Sequence, residues 1–153
     1  MIEQTTLVQT IQNALAPSVM ISSSGLLLLG FQNKFSALFD RFRSLNEEKR
    51  RLKQKTVRDE IENKRLANLE EQLMKLTKRA THVKNAILVT YLAIISFLAT
   101  SFFLFWNLYR AHDFDHLTLG FFGIGLALIF VACISIMIEV SISYRILTIE
   151  KKS

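Results

Sequence analysis

Three apolar stretches without a single charged residue, 14–31, 86–106 and 117–138, alternate with polar chain. Each is close to the ~20 residues that a helix needs to cross a bilayer. Residues 34–84, between the first two, are dominated by charge and leucine. Between Phe31 and Gly120 there is neither proline nor glycine, so nothing punctuates the helical pattern as it passes from apolar to charged and back. The pattern predicts an all-α membrane protein with three transmembrane helices. A long cytoplasmic antiparallel helical hairpin would join the first and second spans.

The hairpin has its own period. Phe31, Phe35, Leu38, Phe39, Phe42 and Leu45 recur at spacings of three and four, which places them on one face of a helix continuing from the first span. Leu66, Leu69, Leu73, Leu76, Ala80 and Val83 do the same on the approach to the second span. The middle holds only Leu52, Val57 and Ile61 as apolar points. Both spans meet the same membrane face, so the chain must reverse between them. Two places offer an N-cap pattern, Ser44 with Glu47 and Thr56 with Asp59. At ~1.5 Å per residue each arm would reach roughly 35 Å beyond the bilayer. Spacing leaves open whether the leucine faces close on each other or on a neighbouring subunit, as in a coiled coil. The expected units are 1–33 for the N-terminal region and first span, 34–84 for the hairpin and 85–109 for the second span. An outer loop follows at 110–116, then the third span at 117–139 and a cytoplasmic tail at 140–153.

Composition sharpens the segregation. Half of the 153 residues are hydrophobic and 21% are charged, with a mean hydropathy of +0.28, a combination that suits a chain with separate oily and charged parts. Of the 19 Lys and Arg, 15 fall in 34–84, against 8 of the 13 Asp and Glu, so the basic character belongs to that segment. Basic segments in short loops stay on the cytoplasmic side. That rule puts the hairpin inside, the N-terminus outside, the loop with Arg110, Asp113 and Asp115 outside, and the tail with Arg145, Lys151 and Lys152 inside. Trp106 and Tyr109 suit an outer aromatic belt. The first apolar run lacks a basic leader, since 1–12 carries only Glu3, and reads as a retained helix rather than a signal peptide.

Candidate chemistry is sparse. Cys133 stands alone inside an apolar run and can form neither an intrachain disulfide nor a zinc site by itself. Lys49, Arg50, Arg51, Lys53, Lys55 and Arg58 are interleaved with acids and contain no aromatic. They read as a solvated helical face, or as attraction to anionic lipid heads, rather than as a nucleic-acid surface. His112, Asp113, Asp115 and His116 combine metal-ligand types in a short outer loop, where they serve equally as a polar turn. No nucleophile elbow, P-loop or zinc-protease motif occurs, so no enzyme is expected, and no cofactor is implied. In the first span, Ser22, Ser23, Ser24, Gly25 and Gly30 allow close helix packing or, alternatively, a polar pore lining. Pro17 marks a possible kink or helix start there. Glu139 is the sharpest residue, a carboxylate at the inner end of the third span that needs a cation. Arg41, Arg43, Arg79 and Lys84 lie near the same face, and the expectation is an ion-pair clasp fixing the hairpin base to the third span.

Three segments stand out together: Ala14-Leu-Ala-Pro17 with the Ser/Gly stretch behind it; Asn33-Lys34 with Asp40-Arg41-Phe42-Arg43, then Leu76-Thr-Lys-Arg79-Ala80 and Asn85-Ala-Ile; and Glu139-Val140. Together they resemble a bacterial membrane-protein family known as domain of unknown function 2721. The resemblance covers nearly the whole chain in the right order. It implies a small integral inner-membrane protein with three spans and no assigned activity, and it singles out Asp40, Arg41, Arg43 and Glu139. Residues 47–65 match nothing in that pattern, as suits a hairpin tip.

These features point first to a homo-oligomeric scaffold or interaction module acting through its cytoplasmic hairpin. Its partners would be the bilayer, further copies of itself and a cytoplasmic protein, with no nucleic acid. The competing expectation is a small oligomeric ion channel whose serine-bearing first span lines the pore.

Overall fold

The computed structural model of the chain describes residues 2–55, 59–109 and 115–150. Of the residues singled out above, Thr56, Val57, Arg58, Arg110, His112, Asp113, Lys151 and Lys152 lie outside these ranges, and the side chains of Glu3, Tyr109 and Arg145 are not described. The described residues form three helices and no strand: α1 (Ile2–Gln54), α2 (Glu60–Tyr109) and α3 (Asp115–Glu150). Each contains a stretch long and apolar enough to cross a membrane.

The 50 residues of α2, and the part of the 53-residue α1 beyond Gly30, follow from the missing breakers. The chain passes Ser44 and Glu47 without interruption, and it passes Pro17 as well, which lies inside α1 and starts no helix. The reversal comes at 55–59. There the cap sits three residues later than the Thr56 pattern suggests: the Asp59 carbonyl accepts the first helical hydrogen bond from the Asn63 amide (3.1 Å). Asp59 is followed at the third helical position by Glu62, the same spacing one turn along. Acids Glu60 and Glu62 in the first turn of α2, and bases Arg51 and Lys53 in the last turn of α1, suit the two helix dipoles that meet at this tip.

The arms close on each other within one chain. Partners run in opposite directions along α1 and α2: the Gln32 amide donates to the Tyr91 hydroxyl (3.1 Å), Arg65 to Glu48 (2.8 Å), and Lys55 pairs with Glu62. Leu38, Leu76 and Val83 are buried between the arms, with Phe35, Phe42 and Leu45 packed around them. The two faces that sequence spacing left unassigned therefore satisfy one another.

Helix α2 is the shared element, packed on both α1 and α3, while α1 and α3 barely touch each other. All three meet at a layer of Phe31, Ala86 and Ala132. The two alanines let the helices approach closely there. Farther along, Gly125 of α3 faces the fully buried Phe97 ring so tightly that a Cβ would stand 2.5 Å from Phe97 Cε1. The Ser96 hydroxyl donates across the same interface to the Phe121 carbonyl (2.6 Å). At the far end Phe103 stacks on Phe121, with centroids 5.4 Å apart, and Trp106 packs beside Phe102. The Asn107 amide donates to Asp115 (2.9 Å), joining the ends of α2 and α3. Helix α3 does not stop where the apolar run ends but continues past Glu139 to Glu150.

Candidate functional site: a buried carboxylate at the three-helix junction

The junction is built by helical spacing. Lys34 stands one turn beyond Phe31 on α1, Arg79 seven residues before Ala86 on α2, and Glu139 seven residues after Ala132 on α3. Steps of three and seven keep a residue on the same helix face. The faces that make the Phe31, Ala86 and Ala132 layer therefore bring three charged side chains together just past it.

Glu139 is fully buried, with 0% of its side chain exposed. Its Oε1 accepts from Arg79 Nε at 3.0 Å, and its Oε2 is paired with the Lys34 ammonium. The two cations keep 30% and 25% exposure for Lys34 and Arg79, so the carboxylate is enclosed while its partners stay partly open to solvent. Burying a carboxylate is expensive unless it is both paired and hydrogen-bonded, and here one acid has two bases. Each helix contributes one charge, so the cluster is a three-way clamp rather than a bond between two elements.

The sequence offers four cations for this role, and the structure brings one of them, Arg79, to the carboxylate. Lys34 is the partner that charge counting passed over, although it stands in the Asn33-Lys34 pair of the family pattern. The signal that could have found it is its spacing from Phe31. Arg41, on a similar face, is seven residues farther along α1, about 10 Å nearer the hairpin tip. Asp40 and Arg43 point to other faces of the same helix, and all three are exposed. Lys84 is five residues from Arg79, roughly 140° around α2, and is exposed on a different side.

The small residues of the first span are split. Ser24 is buried, while Ser22, Ser23, Gly25 and Gly30 are exposed, and nothing in the chain lies within 4 Å of where a Cβ at Gly25 or Gly30 would be. The Ser22 and Ser24 hydroxyls donate to the carbonyls of Ser18 (3.1 Å) and Met20 (2.6 Å) four residues back. Of the His112, Asp113, Asp115 and His116 group, Asp115 and His116 open α3, and Asp115 is engaged by Asn107. His112 and Asp113 lie outside the described residues, and among those described no three His, Cys, Asp or Glu side chains gather as metal ligands.

Beyond the junction the hairpin carries a ladder of exposed ion pairs. Glu70 of α2 meets Lys49 (3.0 Å) and Lys53 (3.4 Å) of α1, and Glu48 meets Arg65 (2.6 Å). Hydrogen bonds from Lys49 and then Lys53 hold the Glu70 carboxyl below its ordinary value. A run that reads in sequence as a solvated face thus includes cross-arm partners.

No curated protein and no solved structure matches the chain. A family model does, described as Protein of unknown function (DUF2721), and its match covers residues 14–149, from the first span through the hairpin and clamp to the end of α3. With nearly the whole chain matched in this order, the protein belongs to the DUF2721 family.

Proposed function

We propose that this is a membrane-anchored scaffold of the bacterial inner membrane, with the hairpin in the cytoplasm, the N-terminus outside and the C-terminus inside. Its task is to hold the hairpin out from the bilayer as a docking arm for a cytoplasmic protein. The observation that carries this reading is the clamp of Lys34, Arg79 and Glu139. It fastens both arms to the third span at their base, and an arm of about 20 residues beyond it extends about 30 Å. A clamped strut transmits position, which is what a scaffold needs.

The arms satisfy their own leucine faces, so docking falls to what remains outside. Near the tip a groove of about 460 Å³ is lined by Leu45, Ile61 and Leu69 with Glu48, Lys64 and Arg65. Ile61 is 79% exposed there. Self-association falls to the spans, where the Gly25 and Gly30 side of α1 is open. The test has two parts: subunit number in nanodiscs by native mass spectrometry, and the cellular phenotype of a chain in which 46–65 is replaced by a short neutral turn. A strictly monomeric protein that loses no phenotype with the tip removed defeats the proposal. The small oligomeric channel is the competing reading. It gains no support from the serine hydroxyls that donate within their own helix, and it stands or falls on ion flux from reconstituted protein.

A further inference from the structure

We infer that the base of the hairpin carries a binding site for one anionic phospholipid, on the side of the α1–α2 seam away from the clamp. An apolar groove of about 170 Å³ opens there, lined by Phe35, Leu38, Phe39, Phe42, Leu76 and Ala80. Phe39 is 56% exposed, an unusual state for an aromatic outside a span but a natural one at the boundary of acyl chains and headgroups. The groove begins one residue past Lys34 and so sits at the depth where α1 leaves the apolar layer.

Two cations bracket it. Arg43 lies four residues after Phe39, and Lys84 four residues after Ala80, so each neighbours a groove residue on its own helix surface. Both are exposed, and among the described residues neither enters an ion pair. Their directions converge. Side chains on a helix lean toward its N-terminus, and the arms are antiparallel. Arg43 on α1 therefore leans toward the membrane, and Lys84 on α2 leans away from it, each toward the groove between them. The surroundings are basic: residues 34–46 and 75–85 hold seven Lys and Arg against Asp40 alone, and with Lys34 and Arg79 taken up by Glu139 of α3, five of the seven remain. An apolar slot at this depth, with Lys84 at its membrane end and Arg43 at its tip end, complements a lipid whose upper acyl carbons lie on Phe35 and whose glycerol lies toward Phe39 and Ala80. Its phosphate would sit between Arg43 and Lys84. This site does not depend on whether the hairpin docks a protein.

The test is native mass spectrometry of the full chain in mild detergent with equal phosphatidylglycerol and phosphatidylcholine. The wild-type chain should retain phosphatidylglycerol preferentially. Arg43→Gln and Lys84→Gln should each weaken that retention about fivefold, and the pair about thirtyfold. Arg50→Gln with Lys64→Gln at the tip should leave it unchanged. Phe39→Ser should reduce retention of both lipids. Helix content by circular dichroism should be constant across these exposed positions. Equal retention of the two lipids by the wild type, retention by the double variant equal to wild type, or a second copy of the chain held in place of lipid overturns the site.

Discussion

The junction and the hairpin tip use the same chemistry, lysine and arginine on glutamate, in opposite surroundings. At the junction Glu139 is fully buried and has a partner on each of the other two helices. Toward the tip Glu70 lies on the surface, itself open to solvent, with Lys49 and Lys53 on the opposite arm. In water, ion pairs gain little because solvent and salt screen them. In a buried site a charge left without its partner is far costlier than the pair is favourable. The junction therefore decides whether the molecule holds together, and the tip decides only how closely the arms lie near their end.

The largest expected effect comes from stripping Glu139 of its cations. Replacing Lys34 and Arg79 together by leucine leaves a buried carboxylate uncompensated and should cost about 3–5 kcal/mol in unfolding from mild detergent into SDS. Glu139→Gln should cost less, because the cations it abandons are partly exposed and can turn to solvent. Adding Glu139→Gln to the double leucine variant should recover stability. A cycle in which Glu139 shows no coupling to either Lys34 or Arg79 breaks the comparison, since the buried cluster would then behave like the surface ladder. Next in size is Gly125→Ala. A Cβ there meets the Phe97 ring at 2.5 Å, and the ring is fully enclosed. The same assay should show a loss of about 1–3 kcal/mol from overpacking. Gly25→Ala and Gly30→Ala test the open side of α1. With nothing within 4 Å, each should gain up to about 1 kcal/mol from helix propensity in a monomer. A fall in subunit number for these variants would instead assign that side to self-association.

The helices were legible because their determinants are local: uncharged runs, three- and four-residue spacing, and a long absence of proline and glycine. Glu139 was legible too, since a carboxylate at the end of an oily run needs a partner wherever it sits. Its partners were less so. Charge and depth nominate Arg41 and Arg43 as readily as Arg79, and only the antiparallel alignment of three helices decides which turn of α1 faces Glu139. Lys34 belongs to the core face because Phe31 does, and that fact becomes visible once Phe31 is placed against Ala86 and Ala132. Gly125 went unmarked for a similar reason, because a glycine in an apolar run says nothing of the ring opposite. The reversal point was ambiguous between two cap patterns. Continuous burial of Leu38 and Leu76 with Leu45 packed beside them excludes the first, since a turn at Ser44 would end α1 just where that packing continues.

The smallest expected effect is at the tip, and pH isolates it. Glu70 has its carboxyl held below its ordinary value of 4.5 by Lys49 and then Lys53. A depressed value in the folded state means that the unfolded chain binds the proton first as pH falls. The ladder's contribution is therefore complete above pH 4.5 and fades as pH drops through the lower, folded value. Amide-exchange protection factors near Lys49, Lys53 and Glu70 should accordingly fall as pH drops below 4.5, while those around Ala86 and Ala132 hold. Glu70→Gln should give the low-pH pattern at neutral pH and show little further change on acidification. If tip and junction instead lose protection together, the two regions form one cooperative unit, and surface pairs far from the membrane help to set the clamp.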